Sequence, residues 1–134
     1  MNYRTEITVR GYHADFYGHV NNARYLEFFE EDRWRRLEEH IDLRQWAACG
    51  RGFAIVNINV NYRKAAVVGD RMLVGTALER VNTRSAVLRQ EIVFANDHEI
   101  SADALVTFVV TDASGKAMTM EGELLAELQF FEEK

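Results

Sequence analysis

Asp15 and His19 stand four residues apart in Ala14-Asp15-Phe16-Tyr17-Gly18-His19-Val20-Asn21-Asn22, a run that ends where a helical pattern begins. A carboxylate just ahead of a helix N-terminus suits acyl transfer. It attacks a carbonyl or activates water, while unsatisfied backbone N–H groups of the first turn stabilise the developing oxyanion. His19 is placed to orient a substrate or donate to a carbonyl oxygen, and equally to brace the loop. Asn21 and Asn22 read as loop and cap residues, roles compatible with catalysis because a cap fixes the helix end that polarises. On residue pattern alone, Asp15 also fits a turn aspartate that bonds only its own backbone. A metal site of His13, Asp15 and His19 matches no recognised helical zinc spacing, and no metal is expected.

The elements that must position these residues belong to a chain of 134 residues, 48% hydrophobic, with no Pro- or Gly/Ser-rich linker and no repeat. One domain over residues 1–134 is expected. The net charge of −5 argues against nucleic acid as the main partner. Cys49 is the only cysteine, which excludes an internal disulfide and fits a reducing compartment. Its small apolar context, Trp46-Ala47-Ala48-Cys49-Gly50, reads as a buried structural thiol at a helix end. No signal-peptide pattern or membrane-length apolar run is present, so a cytoplasmic protein is the default. Proline is absent, leaving the turns to Gly, Asn, Asp and Ser.

Residues 2–11 read as a first strand. A long helix follows from Asn21 or Asn22 to about His40, with Leu26, Phe29, Leu37 and Ile41 at helical spacing and Trp34 beside that stripe. Glu31–Arg35 and Asp32–Arg36 have the favourable i, i+4 order of an exposed face. After Gly52, Val56, Ile58, Val60 and Tyr62 alternate with three asparagines, the two-residue rhythm of a strand. Further strands are expected at about 70–81, 85–94 and 99–111, joined by connections short enough for antiparallel neighbours. A last amphipathic helix is expected from about Glu121 to Phe131. The simplest packing is an α+β domain in which one antiparallel sheet of about five strands curls around the long helix. The last strand is apolar on both faces, and the side turned away from the helix needs the terminal helix or a second subunit. A dimer or tetramer is therefore expected.

These residues, in this order of elements, resemble the hotdog-fold acyl-CoA thioesterases of the 4-hydroxybenzoyl-CoA thioesterase type. The resemblance is closest to the long-chain acyl-CoA thioesterase III (FadM-like) group. It is strongest in the Asp15…His19-Val20-Asn21-Asn22 segment and extends to residues 53–63, 103–108 and 121–124. Arg63-Lys64-Ala65-Ala66 departs from it, because close relatives often carry a proline after the basic pair. The resemblance implies that Asp15 is the catalytic carboxylate and that the Asn22 backbone N–H polarises the thioester carbonyl. It also implies a site at a subunit interface, an apolar tunnel for the acyl chain, and a surface position for the coenzyme A nucleotide.

Several further residues are candidates under that reading. Tyr17, Tyr25, Phe28 and Phe29 line an acyl channel or, as such aromatics more often do, form core. Arg63 and Lys64 meet coenzyme A phosphates or simply end a solvated strand. Glu27 is a secondary carboxylate on the helix, and Glu30 belongs with its solvated acidic face. The expected reaction is hydrolysis of a medium- or long-chain fatty acyl-CoA to free acid and coenzyme A, by a homo-oligomer that needs no cofactor beyond the coenzyme A of its substrate. The alternatives are an aromatic acyl-CoA or acyl-carrier-protein substrate, or acyl-CoA binding without turnover.

Overall fold

The computed structural model describes residues 1–132. Strand β1 (Tyr3–Thr8) leads through a 3-10 turn (Gly11–His13) to helix α1 (Asn22–His40) and a short helix α2 (Leu43–Ala48). Strands β2 (Gly52–Tyr62), β3 (Arg71–Val81), β4 (Ala86–Phe94) and β5 (Ile100–Thr111) follow, and then helix α3 (Gly122–Glu127) and a 3-10 turn (Gln129–Phe131). All pairings are antiparallel, and the sheet order is β1-β3-β4-β5-β2.

The strand alternation works as the sequence suggests. On β5, Ala102, Ala104, Val106, Phe108 and Val110 are all buried, and on β4 so are Ala86, Leu88 and Ile92. This surface meets Tyr25, Phe28, Phe29 and Leu37 of α1 in one hydrophobic cluster. Leu105 and Val109, on the other face of β5, are only half-buried, and α3 and the residue after it cover their part of the core with Leu124 and Leu128.

The connection from β2 to β3 is the part the short-loop argument misses. β2 pairs with β5 at one edge, and β3 lies three strands away. Three interstrand spacings of about 4.8 Å make roughly 14 Å, which residues 63–70 span easily. This crossover buries Ala66, and its carbonyl accepts from the Val20 N–H at 2.9 Å. It therefore forms a wall beside the Asp15 loop.

The structure corrects four other expectations. The buried face of α1 is Tyr25, Phe28, Phe29, Asp32, Arg33, Arg36 and Leu37, whereas Leu26 is half-buried and Trp34 is exposed. Asp32 and Arg36 are thus a core ion pair at 3.1 Å rather than a surface one. Hydropathy hides this because three of the seven buried positions are charged. Asp32 is 0% exposed, and its carboxylate accepts from Thr5 Oγ1 at 2.8 Å and from the Thr76 hydroxyl as well as from Arg36. Those bonds offset the desolvation that would otherwise forbid the burial. The segment 121–131 is not one helix but α3 followed by the 3-10 turn. Cys49 is exposed, because its helix ends one residue earlier and Gly50 turns the chain at a positive φ of 79°. α2 itself has no apolar period long enough to announce a helix, and Asp42 caps it by accepting from Gln45 N at 3.0 Å.

Candidate active site

Asp15 and His19 face each other across a closed loop. The Ala14–Val20 bridge joins its arms, and the Asp15 N–H donates to the His19 carbonyl at 2.8 Å. The Gly18 N–H closes the turn onto the Asp15 carbonyl at 3.0 Å, and Gly18 has a φ of 78°, a conformation that favours glycine. One carboxylate oxygen of Asp15, Oδ1, accepts from Tyr17 N at 2.9 Å and from His19 N at 3.4 Å. The turn-aspartate role and a chemical role therefore coexist. Oδ1 holds the loop, while Oδ2, which takes no part in those bonds, lies on an exposed residue.

The helix end is prepared as the asparagines suggested. Asn21 is the N-cap, with its side chain accepting from Ala23 N at 2.9 Å and its own N–H donating to the His13 carbonyl at 2.8 Å. Such a cap contributes about 1 kcal/mol and fixes the first turn. Asn22 is the first helical residue, and its N–H makes no hydrogen bond to another described residue. It is one of the orphan donors that a helix offers to an incoming oxyanion.

The remaining candidates divide clearly. His19 bonds Asp15 through its backbone, and a second bridge, to Val67 of the crossover, braces it. Tyr17 is 78% exposed at the loop tip, edge-on to Phe16, which is 95% exposed. Tyr25 and Phe29 are core residues. The Tyr25 hydroxyl accepts from Ala66 N at 3.0 Å and contacts Ser101 Oγ at 3.1 Å, so it locks α1 to the crossover. Arg63 is exposed and takes both oxygens of Asp103, while Lys64 pairs with Glu99 at 2.7 Å over the Phe94 ring. These hydrogen-bonded carboxylates raise both basic groups above their ordinary range. Glu27 pairs with Arg24, and Glu30 accepts from the Trp34 indole, both on the exposed face.

His13 belongs to the floor of the loop. Its Nδ1 accepts from the Arg10 N–H at 2.8 Å, which puts the ring proton of the neutral form on Nε2, and its ring stands edge-on to Phe28. Burial, aided by the charge of Arg24, lowers its pKa, which Glu27 opposes. Among the described residues, no three His, Cys, Asp or Glu side chains are gathered to hold a metal ion. One site residue escapes the sequence reading. Tyr62 at the end of β2 donates its hydroxyl to the Asn22 carbonyl at 3.1 Å, and only its place at the close of the alternating strand hints at this.

An antiparallel sheet curled about one long helix, with a loop carboxylate turned ahead of that helix, defines a hotdog-fold protein. The chain belongs to the thioesterase-like superfamily, which it matches over residues 9–128. It is 46% identical over 127 residues to the long-chain acyl-CoA thioesterase FadM of Escherichia coli K12, covering 94% of this chain and 96% of that one. The crystal structure of YbaW, a probable thioesterase from Escherichia coli, superposes with a TM-score of 0.90 at 44% identity, covering 98% of this chain and all of that one. Slr0204, a 1,4-dihydroxy-2-naphthoyl-CoA thioesterase from Synechocystis, shares the fold at a TM-score of 0.81 and 20% identity over 94% of each chain.

Proposed function

We propose that this protein hydrolyses medium- or long-chain fatty acyl-CoA to free fatty acid and coenzyme A, with Asp15 as nucleophile or general base. The observation that carries the reading is the Asp15 loop itself. Its backbone hydrogen bonds hold a carboxylate immediately before α1, whose Asn22 N–H is unengaged. The 46% identity to a long-chain acyl-CoA thioesterase supports the substrate class.

As a base, Asp15 takes a proton from water while the water oxygen bonds to the thioester carbon. The Asn22 N–H stabilises the resulting oxyanion, and collapse breaks the C–S bond to release coenzyme A thiolate and the acid. As a nucleophile, Asp15 forms an acyl anhydride with loss of the same thiolate, and water then cleaves it. Either route is complete without a metal or redox group, so no cofactor is assigned. His19 braces the loop, Tyr17 lies where an acyl or pantetheine chain passes, and Arg63 and Lys64 stand at the strand end as candidates for the phosphates.

A homo-oligomer belongs to the same reading. β2 lies at a sheet edge, and Gly52–Tyr62 carries no charge over eleven residues. Val56 and Ile58 are exposed on it. Edge strands that stay single are usually short or charged, as β1 is with Arg4 and Glu6. A second copy paired along β2 covers this edge and brings a partner near the Tyr62 end that touches Asn22. Among the described residues, no helix is long and apolar enough to cross a membrane. The exposed free thiol of Cys49 suits the reducing cytoplasm.

A panel of acyl-CoA thioesters with a thiol readout tests the substrate class. Highest kcat/KM on a C10–C18 acyl-CoA supports the proposal, and dominance of an aromatic acyl-CoA or an acyl-carrier-protein substrate overturns it. Binding without turnover across the whole panel identifies a non-catalytic binder instead.

A further inference from the structure

His13 is the one buried histidine of four, 7% exposed, and the chemistry above gives it no part. It ends the 3-10 turn Gly11–His13, whose N-cap is Arg10. An arginine side chain carries no acceptor, so Arg10 cannot cap the turn in the usual way. His13 supplies a bond from the other end. Its Nδ1 accepts from the Arg10 N–H at 2.8 Å, while its own N–H donates to the Arg10 carbonyl at 3.0 Å. The first of these is the return half of a capping box, with an imidazole nitrogen in place of a Glu or Gln oxygen. Both polar groups of the Arg10 backbone are thus held by one residue.

The frame behind Arg10 is fixed as well. The Val9 N–H donates to the Asp70 carbonyl at 2.9 Å, and the Val9 carbonyl accepts from Gly69 N at 2.8 Å. On its other side His13 carries the site. Its carbonyl accepts from the Asn21 N–H at 2.8 Å, so the N-cap of α1 hangs from it, and Asp15 follows it by two residues. The loop that bears the carboxylate therefore leaves from His13 and returns to it. The ring lies against Tyr12 at 4.1 Å and edge-on to Phe28 of α1 at 5.0 Å. Nε2 bonds no described residue and reaches solvent, so accepting from Arg10 is the one polar task the ring performs. All of these contacts lie within one chain.

We propose that His13 is a positioning residue for the hydrolysis, its Nδ1 bond to Arg10 fixing where the Asp15 carboxylate stands relative to the Asn22 N–H. The inference rests on the hydrolase reading. A base or nucleophile and its oxyanion donor must be held to within about 0.5 Å, and a misplacement of about 1 Å costs on the order of 10²-fold in rate. That separation matters in the transition state and not in holding the ground-state thioester. Its loss therefore lowers kcat and leaves KM in place.

Two variants of the intact protein, His13→Asn and His13→Gln, separate positioning from packing on a long-chain acyl-CoA. Asn places its amide oxygen where Nδ1 stands, whereas Gln carries it one atom further out. The expected result is a fall in kcat of about tenfold or more in His13→Gln, with KM within about twofold, and recovery in His13→Asn to within about threefold of wild type. A role in packing alone favours the larger Gln. Equal kcat in the two variants, or a lower kcat in His13→Asn, overturns the proposal. Should either variant fail to fold, the ring-nitrogen NMR spectrum of the wild type decides. A ring protonated on Nε2, with Nδ1 coupled to the Arg10 N–H, is expected; a ring protonated on Nδ1, or no such coupling, overturns the proposal. A wild type inert on every thioester brings down the hydrolase reading and this inference with it. An active wild type whose two variants match it brings down this inference alone.

Discussion

The hydroxyl of Tyr62 donates to the carbonyl of Asn22 across 3.1 Å, joining the last residue of the edge strand to the first residue of the central helix. The proposed polarising donor and the strand proposed to carry the subunit contact are therefore tied together by this bond. A hydrogen bond of this kind contributes about 0.5–1.5 kcal/mol. Tyr62→Phe is expected to lower kcat/KM by roughly three- to tenfold while shifting Tm by no more than a few degrees. Steady-state kinetics beside a thermal melt checks this, and unchanged kcat/KM removes Tyr62 from the site.

The Asp32–Arg36 pair should govern stability rather than activity. Its members are buried, and Thr5, Thr76 and Arg36 converge on one carboxylate. Asp32→Asn leaves the Arg36 charge without its counter-ion inside the core, a change that costs about 3–5 kcal/mol. Urea unfolding measures it. A loss below about 1 kcal/mol contradicts the described network.

How much of this was legible in the sequence follows from the same residues. The alternation of β5, the Asn21 cap and the Asp15 loop are local patterns, set by period, cap chemistry and turn chemistry, and the structure shows each of them. β2 is a strand where its rhythm puts one, but its register shifts at Val56, and Val56, Ile58 and Tyr62 are exposed. The buried face of α1 is not local. Asp32 and Arg36 look like a solvated i, i+4 pair until Thr5 and Thr76 arrive from other strands to bond them. Tyr62 likewise becomes a site residue only because β2 ends beside the N-terminus of α1. The crossover of residues 63–70 is set by which edge of the sheet β2 joins, which no local window reports. Tyr25 and Phe29 went to the core because their neighbours on the sheet, and not their own type, decide what they face.

His13 makes stability depend on pH. Burial holds its imidazole below the ordinary value of 6.5. Above that value both the folded and unfolded chains carry it neutral, and it contributes no pH dependence. As the pH falls through 6.5 towards the lower folded value, the unfolded chain binds a proton that the folded chain refuses, so stability drops. His13→Gln is expected to flatten the decline between pH 7.5 and 5. Unfolding midpoints at the two pH values check this, and parallel declines in both proteins exclude His13 as the source.

The uncharged edge of β2 predicts a single-residue route to dissociation. Ile58→Lys places a charge on its exposed stretch, the device by which natural edge strands avoid pairing. Light scattering after size exclusion should show the wild type as a dimer or larger and Ile58→Lys as a monomer at micromolar concentration. A wild-type monomer, or an unaltered oligomer in the variant, contradicts pairing along β2.

The central claim is that Asp15 does the chemistry, and turnover of Asp15→Asn tests it most directly. Asn keeps an oxygen for the Tyr17 and His19 N–H groups, so the loop and the circular dichroism spectrum should be preserved. Loss of the carboxylate is expected to lower kcat on a long-chain acyl-CoA by about 10²–10⁴-fold, the scale of a general base. A folded Asp15→Asn protein that turns over within threefold of wild type would contradict the account.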